Sequence, residues 1–189
     1  LKNLFQISNF KLIESDFQRL GLLDPSCELT MYSFFKSLVY RSARMSVYLR
    51  VITSNIWLLS GVFRSHLRSK YLIEIGQNVS IGIGFILPHP QCIVIASGVI
   101  IGDYVSVGQN STLGGNQKKY KNRKGNKQLL PLIGNNVWIG PGAVIGGPVI
   151  IGDHSLIGAN SVITKDLEEN SLAYGQNQVS TKKIEMDGH

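Results

Sequence analysis

Cysteine is scarce in this 189-residue chain: Cys27 and Cys92 are the only two, and they stand far apart. That excludes a disulfide scaffold and every paired-cysteine metal or redox spacing, and it fits a reducing, cytoplasmic compartment. Histidine is limited to positions 66, 89, 154 and 189. A zinc site needing three histidines on neighbouring repeats cannot be assembled from these, so no metal is expected. Long apolar runs are missing too. The longest, Val51 to Phe63, is thirteen residues and contains Thr, Ser and Asn, against about 20 for a membrane-spanning helix. No secretory signal is visible.

Charged residues make up 16% of the chain, with 12 acids against 19 Lys and Arg. Their placement says more than the net charge of +7. Residues 1–72 carry ten cations and four acids, whereas 116–131 carries six cations (Lys118, Lys119, Lys121, Arg123, Lys124, Lys127) and no acid. A basic patch on a nearly neutral scaffold suits a phosphate-bearing ligand, an anionic membrane surface or nucleic acid. Nucleic acid is set aside, because no recognition module accompanies the run and Tyr120 is its one aromatic. The plain alternative is a solvated, mobile loop.

What the chain has in abundance is a six-residue period. Ile75, Ile81, Leu87 and Ile93 share one phase; Ile95, Ile101, Val107 and Leu113 share another, shifted by two; Ile133, Ile139, Ile145, Ile151, Ile157 and Ile163 resume after an interruption. Gly usually follows the aliphatic residue. Neither a 3.6-residue helix nor an alternating strand explains fourteen positions at this spacing. Hexapeptide turns of a parallel β-helix do, each short strand burying its aliphatic side chain inside the coil.

The period divides the chain into a helical region over 1–72, a mainly β solenoid over 73–175 with a protruding loop at 114–131, and a tail at 176–189. In the first region Met31, Phe34, Phe35, Leu38, Val39 and Met45 follow helical spacing, with Thr30 as a cap. A second amphipathic helix is expected from about Val47 to Leu59 or beyond, with a break at Gly61. These helices would cap the first coil and pack on neighbouring subunits. Their flanking Arg41, Arg44, Arg50, Arg64, Arg68 and Lys70 also allow peripheral contact with an inner-membrane surface.

Of the histidines, His66 and His189 read as surface residues, and His154 occupies an outward repeat position. His89 differs. It stands between Pro88 and Pro90, where the usual glycine corner is replaced, and two prolines restrict the backbone on both sides of it. A local turn is the simplest reading; a held imidazole is the functional one.

The segments Leu87-Pro88-His89, Ser111-Thr112-Leu113-Gly114-Gly115, Val137-Trp138-Ile139-Gly140-Pro141-Gly142-Ala143 and Ile157-Gly158-Ala159-Asn160-Ser161-Val162 give the chain a resemblance to the hexapeptide-repeat acyltransferases. It resembles the serine acetyltransferase-like branch over roughly 70–175. Its helices are similar to those of bacterial polysaccharide O-acetyltransferases.

The resemblance implies a left-handed parallel β-helix, a homotrimer with active sites between subunits, and acetyl-CoA as co-substrate in a groove between adjacent prisms. It implies that His89 is the general base for the acceptor hydroxyl and that Glu74 orients it. It also implies that Gly114, Gly115, Pro141 and Ala159 line the CoA groove, with Lys165 and loop 116–127 as candidates for the nucleotide phosphates. The chemistry needs such groups. A neutral alcohol attacks a thioester poorly until a base takes its proton, and histidine, with an ordinary pKa of about 6.5, can take and release one near neutrality. The thiol leaves readily, so no acyl-enzyme is needed and Cys92 has no required role.

Three departures bear on the acceptor. The branch carries Asp before the histidine, where this chain has Pro88. It carries an Arg-His pair where this chain has Leu129-Leu130-Pro131. Its helical portion is longer. These departures put first an acetyl-CoA-dependent O-acetyltransferase acting on a sugar or glycan hydroxyl. Serine O-acetyltransferase in cysteine biosynthesis is the alternative, with a sugar amine as a further acceptor. A non-catalytic β-helix scaffold is the alternative of another class.

Overall fold

The structure, a computed structural model, describes residues 7–54, 57–117, 119–123, 125–176 and 178–180. Lys118, Lys124, His189 and most of the expected tail lie outside the described residues. Four helices come first: α1 (Ile7–Arg19), α2 (Met31–Ser37), α3 (Arg41–Thr53) and α4 (Trp57–Tyr71). Thr30 does cap α2, accepting the Ser33 amide while the Ser33 hydroxyl accepts the Thr30 amide. The single helical stretch expected from Met31 to Met45 is, however, split at Leu38–Tyr40. Its apolar spacing is only partly a buried face: Met45 is buried and Phe34 half-buried, but Met31, Phe35 and Val39 are 47%, 58% and 76% exposed. The next break also differs from expectation. It follows Thr53, and Gly61 lies inside α4, where a Cβ would meet nothing within 4 Å. An isolated glycine on an open helix face costs about 1 kcal/mol and does not end the helix.

The solenoid has three faces, here called A, B and C in the order the chain visits them, and five coils. The first coil is β1 (Glu74–Ile75), β2 (Ser80–Ile81) and an isolated bridge at Ile86; the second is β3 (Val94–Ile95), β4 (Ile100–Ile101) and β5 (Ser106–Val107). In the third, β6 (Thr112–Gly114) leads into a hairpin of β7 (Lys121–Arg123) and β8 (Asn126–Gln128) before β9 (Leu132–Ile133) and β10 (Trp138–Ile139). The fourth is β11 (Val144–Gly146), β12 (Ile150–Ile151) and β13 (Leu156–Ile157). The fifth is β14 (Val162–Ile163), a bridge at Leu167 and β15 (Leu172–Tyr174), against which β16 (Gln178–Ser180) turns back antiparallel. Every coil-to-coil pairing is parallel, and aliphatic positions stack in register: Ile75 on Ile95, Ile95 on Leu113, Leu113 on Ile145, Ile145 on Ile163. The fold is a left-handed β-helix with an N-terminal helical region.

Its core is the column of six-spaced residues. Ile95, Leu113, Ile139, Ile145, Ile151, Ile157 and Ile163 are fully buried, each contributing about 1.5–3 kcal/mol by leaving water. At the B-to-C edge, side chains make a second ladder. The Ile83 amide donates to Asp103, the Asp103 amide to Asn135, and the Asn135 amide to Asp153, at 2.8–2.9 Å. Each coil thereby holds the next by a short polar side chain as well as by its strands.

The open end of the first coil exposes carbonyls that no further coil can satisfy. Three arginines from the helices take that role. Arg50, 1% exposed, donates to the Ile81 and Gly82 carbonyls at 2.8 and 2.6 Å, and to both Asp16 oxygens at 2.9 and 2.7 Å. Asp16 in turn accepts the Phe85 amide at 3.0 Å. Burial pushes the Asp16 carboxyl above its ordinary value, against the pull of Arg50. Arg64 donates to the Ile75 and Gly76 carbonyls, and Arg19 to the Gly84 and Val105 carbonyls and the Ser106 hydroxyl. Arg50 and Arg64 were among the cations expected to flank a membrane-facing surface. They are instead turned inward, because the end of a solenoid needs donors. Among the described residues no helix is long and apolar enough to cross a membrane.

Loop 114–131 is not a free polar loop either. Its hairpin folds back along face B, and Asp166 of the fifth coil clamps it, 2.8 Å from Lys121 and 2.6 Å from Arg123. Burial raises the Asp166 carboxyl, but the bonds from Lys121, Arg123 and the Ile150 amide outweigh it and hold it below its ordinary value.

Candidate active site

His89 lies where the chain passes from face C of the first coil to face A of the second. At this edge the other coils step six residues, as from Val107 to Leu113, but Leu87 to Ile95 is eight. The two-residue surplus is the Pro88-His89-Pro90 bulge, and it is the phase shift visible in the sequence. Its ends are held by the Cys92 amide donating to the Tyr71 carbonyl at 3.0 Å and the Asn110 amide donating to the Gln91 carbonyl at 3.1 Å. Cys92 takes φ of +51°, as Leu72, Asn110 and Asn160 do at the same edge; the αL corner needed here is occupied by ordinary residues as well as by asparagines.

The imidazole is exposed in the single chain. It lines a cleft of about 310 Å³ together with Tyr40, Arg41, Ser42, Pro88, Pro90 and Gln91. One wall is therefore the start of α3, which sequence patterning did not connect with His89. No signal short of the tertiary fold could have made that link. His66 is not a plain surface residue: its ring meets Tyr48 at 5.5 Å and Tyr71 at 6.0 Å.

Glu74 projects from β1 on face A, opposite Val94 of the next coil. The burial of Ile73 and Ile75 on either side fixes it outward. No hydrogen bond or ion pair joins it to His89 among the described residues, so the expected carboxylate–imidazole contact is not formed within the single chain.

Pro141 and Ala159 stack on the same edge as His89, the Asn160 amide donating to the Pro141 carbonyl at 2.8 Å. Gln109 belongs to this edge too, and its buried Oε1 has no hydrogen-bond partner among the described residues, an acceptor the sequence did not single out. Gly114, Gly115 and Lys165 lie across face A on its other edge, where Gly114 pairs with Gly146. Thus one edge holds the imidazole and two small corner residues, and the other holds two glycines and a lysine. A face of five to six residues separates them, roughly 16 Å.

The glycines divide by cause. At Gly108 and Gly140 a Cβ would come within 2.6 and 2.7 Å of backbone atoms of the next coil, so packing requires glycine. At Gly114, Gly115 and Gly146 it would meet nothing closer than 3.7 Å. Neither backbone conformation nor internal packing demands glycine there; what they leave open is the outer surface. Beside them lies a cleft of about 340 Å³ lined by Asn116, Lys119, Lys121, Gly146 and Thr164 among others. An extended ligand with an anionic end fits such an edge. No group of three or more metal-ligating side chains occurs among the described residues.

Residues 131–165 match the bacterial transferase hexapeptide (six repeats) family. A serine acetyltransferase of Buchnera aphidicola is 32% identical over 189 residues, covering 96% of this chain and 69% of that protein. The galactoside O-acetyltransferase of Escherichia coli K12 is 36% identical over 128 residues, 66% of this chain and 59% of that protein. The crystal structure of Neisseria gonorrhoeae serine acetyltransferase superimposes with a TM-score of 0.75 at 21% identity, over 96% of this chain and 69% of that one, a likeness of fold. Against three other serine acetyltransferases of plant and cyanobacterial origin, the chain spans between 38% and 66% of their length.

Proposed function

Because the chain belongs to the hexapeptide-repeat acyltransferases of the serine acetyltransferase type, we propose that it transfers the acetyl group of acetyl-CoA to a hydroxyl, with free serine as the leading acceptor. The acceptor order expected from the sequence is thereby reversed. The missing Arg-His pair and the Pro88 substitution put a sugar first, whereas the relatives are named mostly for serine.

The observation that carries the reading is the imidazole of His89, held on a proline-braced bulge at the mouth of a small polar cleft. In the proposed reaction it accepts the hydroxyl proton as the acceptor oxygen attacks the thioester carbonyl. The tetrahedral carbon then expels the CoA sulfur, and the proton returns to the leaving thiolate. General-base help of this kind is worth about 10²–10⁴ in rate, or roughly 3–5 kcal/mol. Glu74 is proposed as the carboxylate that steadies the imidazolium once substrates close the site.

The split between the two edges of face A supports an active site shared between copies. The His89 edge of one subunit would face the Gly114–Gly115 edge of the next, with Pro141 and Ala159 bordering the groove and Lys165, Lys119 and Lys121 near the CoA phosphates. A homotrimer closes such a heterologous arrangement. A sugar hydroxyl remains the second reading, favoured by Leu129 and Leu130 where the branch has charged residues, and by the likeness to a galactoside O-acetyltransferase.

The test is thiol release from acetyl-CoA, followed with L-serine, methyl galactoside and nucleotide sugars in turn. The proposal expects serine to give the highest kcat/KM. Efficient turnover of the glycosides without turnover of serine transfers the assignment to the second reading, and no thiol release with any of them removes both.

A further inference from the structure

The cleft beside His89 is lined by one permanently charged residue, Arg41. Its lining contains no acid: Tyr40, Ser42 and Gln91 are neutral, and Pro88 and Pro90 are apolar. Among the described residues Arg41 forms no ion pair. It rests on the face of the Tyr71 ring, 4.8 Å from its centroid, and Tyr71 is itself 3% exposed. The ring is wedged in place by neighbours, His66 standing edge-on to it at 6.0 Å and its carbonyl accepting the Cys92 amide. One face of the guanidinium is thus fixed by a rigid aromatic, while its planar fork of N–H donors is not engaged by any carboxylate. The residue that fixes Arg41 also anchors the end of the His89 bulge, so cation and imidazole share one support.

We propose that Arg41 determines acceptor specificity: it receives an anionic group, a carboxylate, borne by the molecule whose hydroxyl His89 deprotonates. This rests on the acetyl-transfer reading and names its substrate class as small hydroxy-carboxylates. Arginine suits the task because its fork matches a carboxylate in two parallel hydrogen bonds, where lysine offers a single point charge. The cleft, about 310 Å³ in the single chain, accommodates a molecule of a few heavy atoms. The cation supplied from α3 also answers for the leucines at 129 and 130. Within the single chain those residues line a different cleft, with Gly98, Ile100 and Ile150, and they carry no charge.

The experiment compares L-serine with its methyl ester, which keeps the hydroxyl and amine but loses the negative charge. Thiol release from acetyl-CoA is measured for the full chain and for Arg41→Gln and Arg41→Lys, with thermal melts confirming that the variants fold. For the unmodified protein, kcat/KM should favour serine over the ester by roughly 10- to 100-fold, the scale of a charge-assisted hydrogen-bond pair. Arg41→Gln should collapse that ratio towards one through KM rather than kcat, and Arg41→Lys should restore part of it. If the unmodified protein treats serine and ester alike, Arg41 reads no carboxylate. A ratio that survives Arg41→Gln overturns the assignment equally. Absence of thiol release with every acceptor is a different outcome, one that removes the acetyl-transfer reading and the assignment with it.

Discussion

Replacing Arg50 by methionine should unseat the helical cap from the solenoid. The side chain is 1% exposed and ties three elements together: Asp16 of α1, its own helix α3, and the carbonyls of Ile81 and Gly82 on the first coil. Methionine fills much of the volume but donates nothing. Asp16, also 1% exposed, would keep only the Phe85 amide. Breaking a buried pair from one side costs about 3–5 kcal/mol, because the remaining charge has no compensation. At roughly 2–4 °C per kcal/mol for a chain of this size, the melting temperature should fall by about 6–20 °C. The double variant Asp16→Leu/Arg50→Met removes both charges, and should recover a large part of the loss. Circular dichroism melts of the four proteins of this cycle give the numbers. If Arg50→Met melts within about 1 °C of the parent, or the double variant is as unstable as the sum of the singles, the cap is not held by this pair.

The hairpin clamp should be pH-sensitive. Asp166 has a carboxyl pKa held below its ordinary 3.8, so its contribution is in full force above that value and is lost as pH falls through the lower folded-state value. Protection of the β7 and β8 amides in hydrogen exchange should therefore drop in strong acid while the buried coil amides stay protected, and Asp166→Asn should show the same loss at neutral pH; equal protection in both would contradict the clamp. The two classes of glycine should separate as well. Gly140→Ala forces a Cβ to within 2.7 Å of the Ala159 nitrogen and should lower the melting temperature, whereas Gly114→Ala meets nothing closer than 3.8 Å and should leave melting alone while raising the KM for acetyl-CoA. A reversal of these two effects would mean that the outer edge of face A is not a ligand surface.

The solenoid was legible because its signal is a period. Ile139, Ile145, Ile151 and Ile157 repeat the same step, and each repeat occupies the same environment, so local pattern and tertiary position coincide. The bulge at His89 was legible for the same reason, as a slip of two in the count. The helices were harder. Met31 and Phe35 follow helical spacing yet stay exposed, because a seven-residue helix leaves most of its surface uncovered within one chain, and Val39 falls in the break that follows it. The arginines misled most, since a cation capping buried carbonyls and one facing an anionic surface look alike in sequence. What separates Arg50 from Arg41 is where the first coil ends in space. For the same reason Arg41 could not be linked to His89, 48 residues away, nor Asp166 to the hairpin that it closes.

The central claim is tested most directly by the rate of thiol release from acetyl-CoA in the presence of L-serine, for the parent chain and for His89→Ala. If His89 is the base, the variant should lose about 10²–10⁴ in kcat while its affinity for CoA, read by calorimetry, stays within a few-fold of the parent. A variant that turns over at the parental rate would contradict the account.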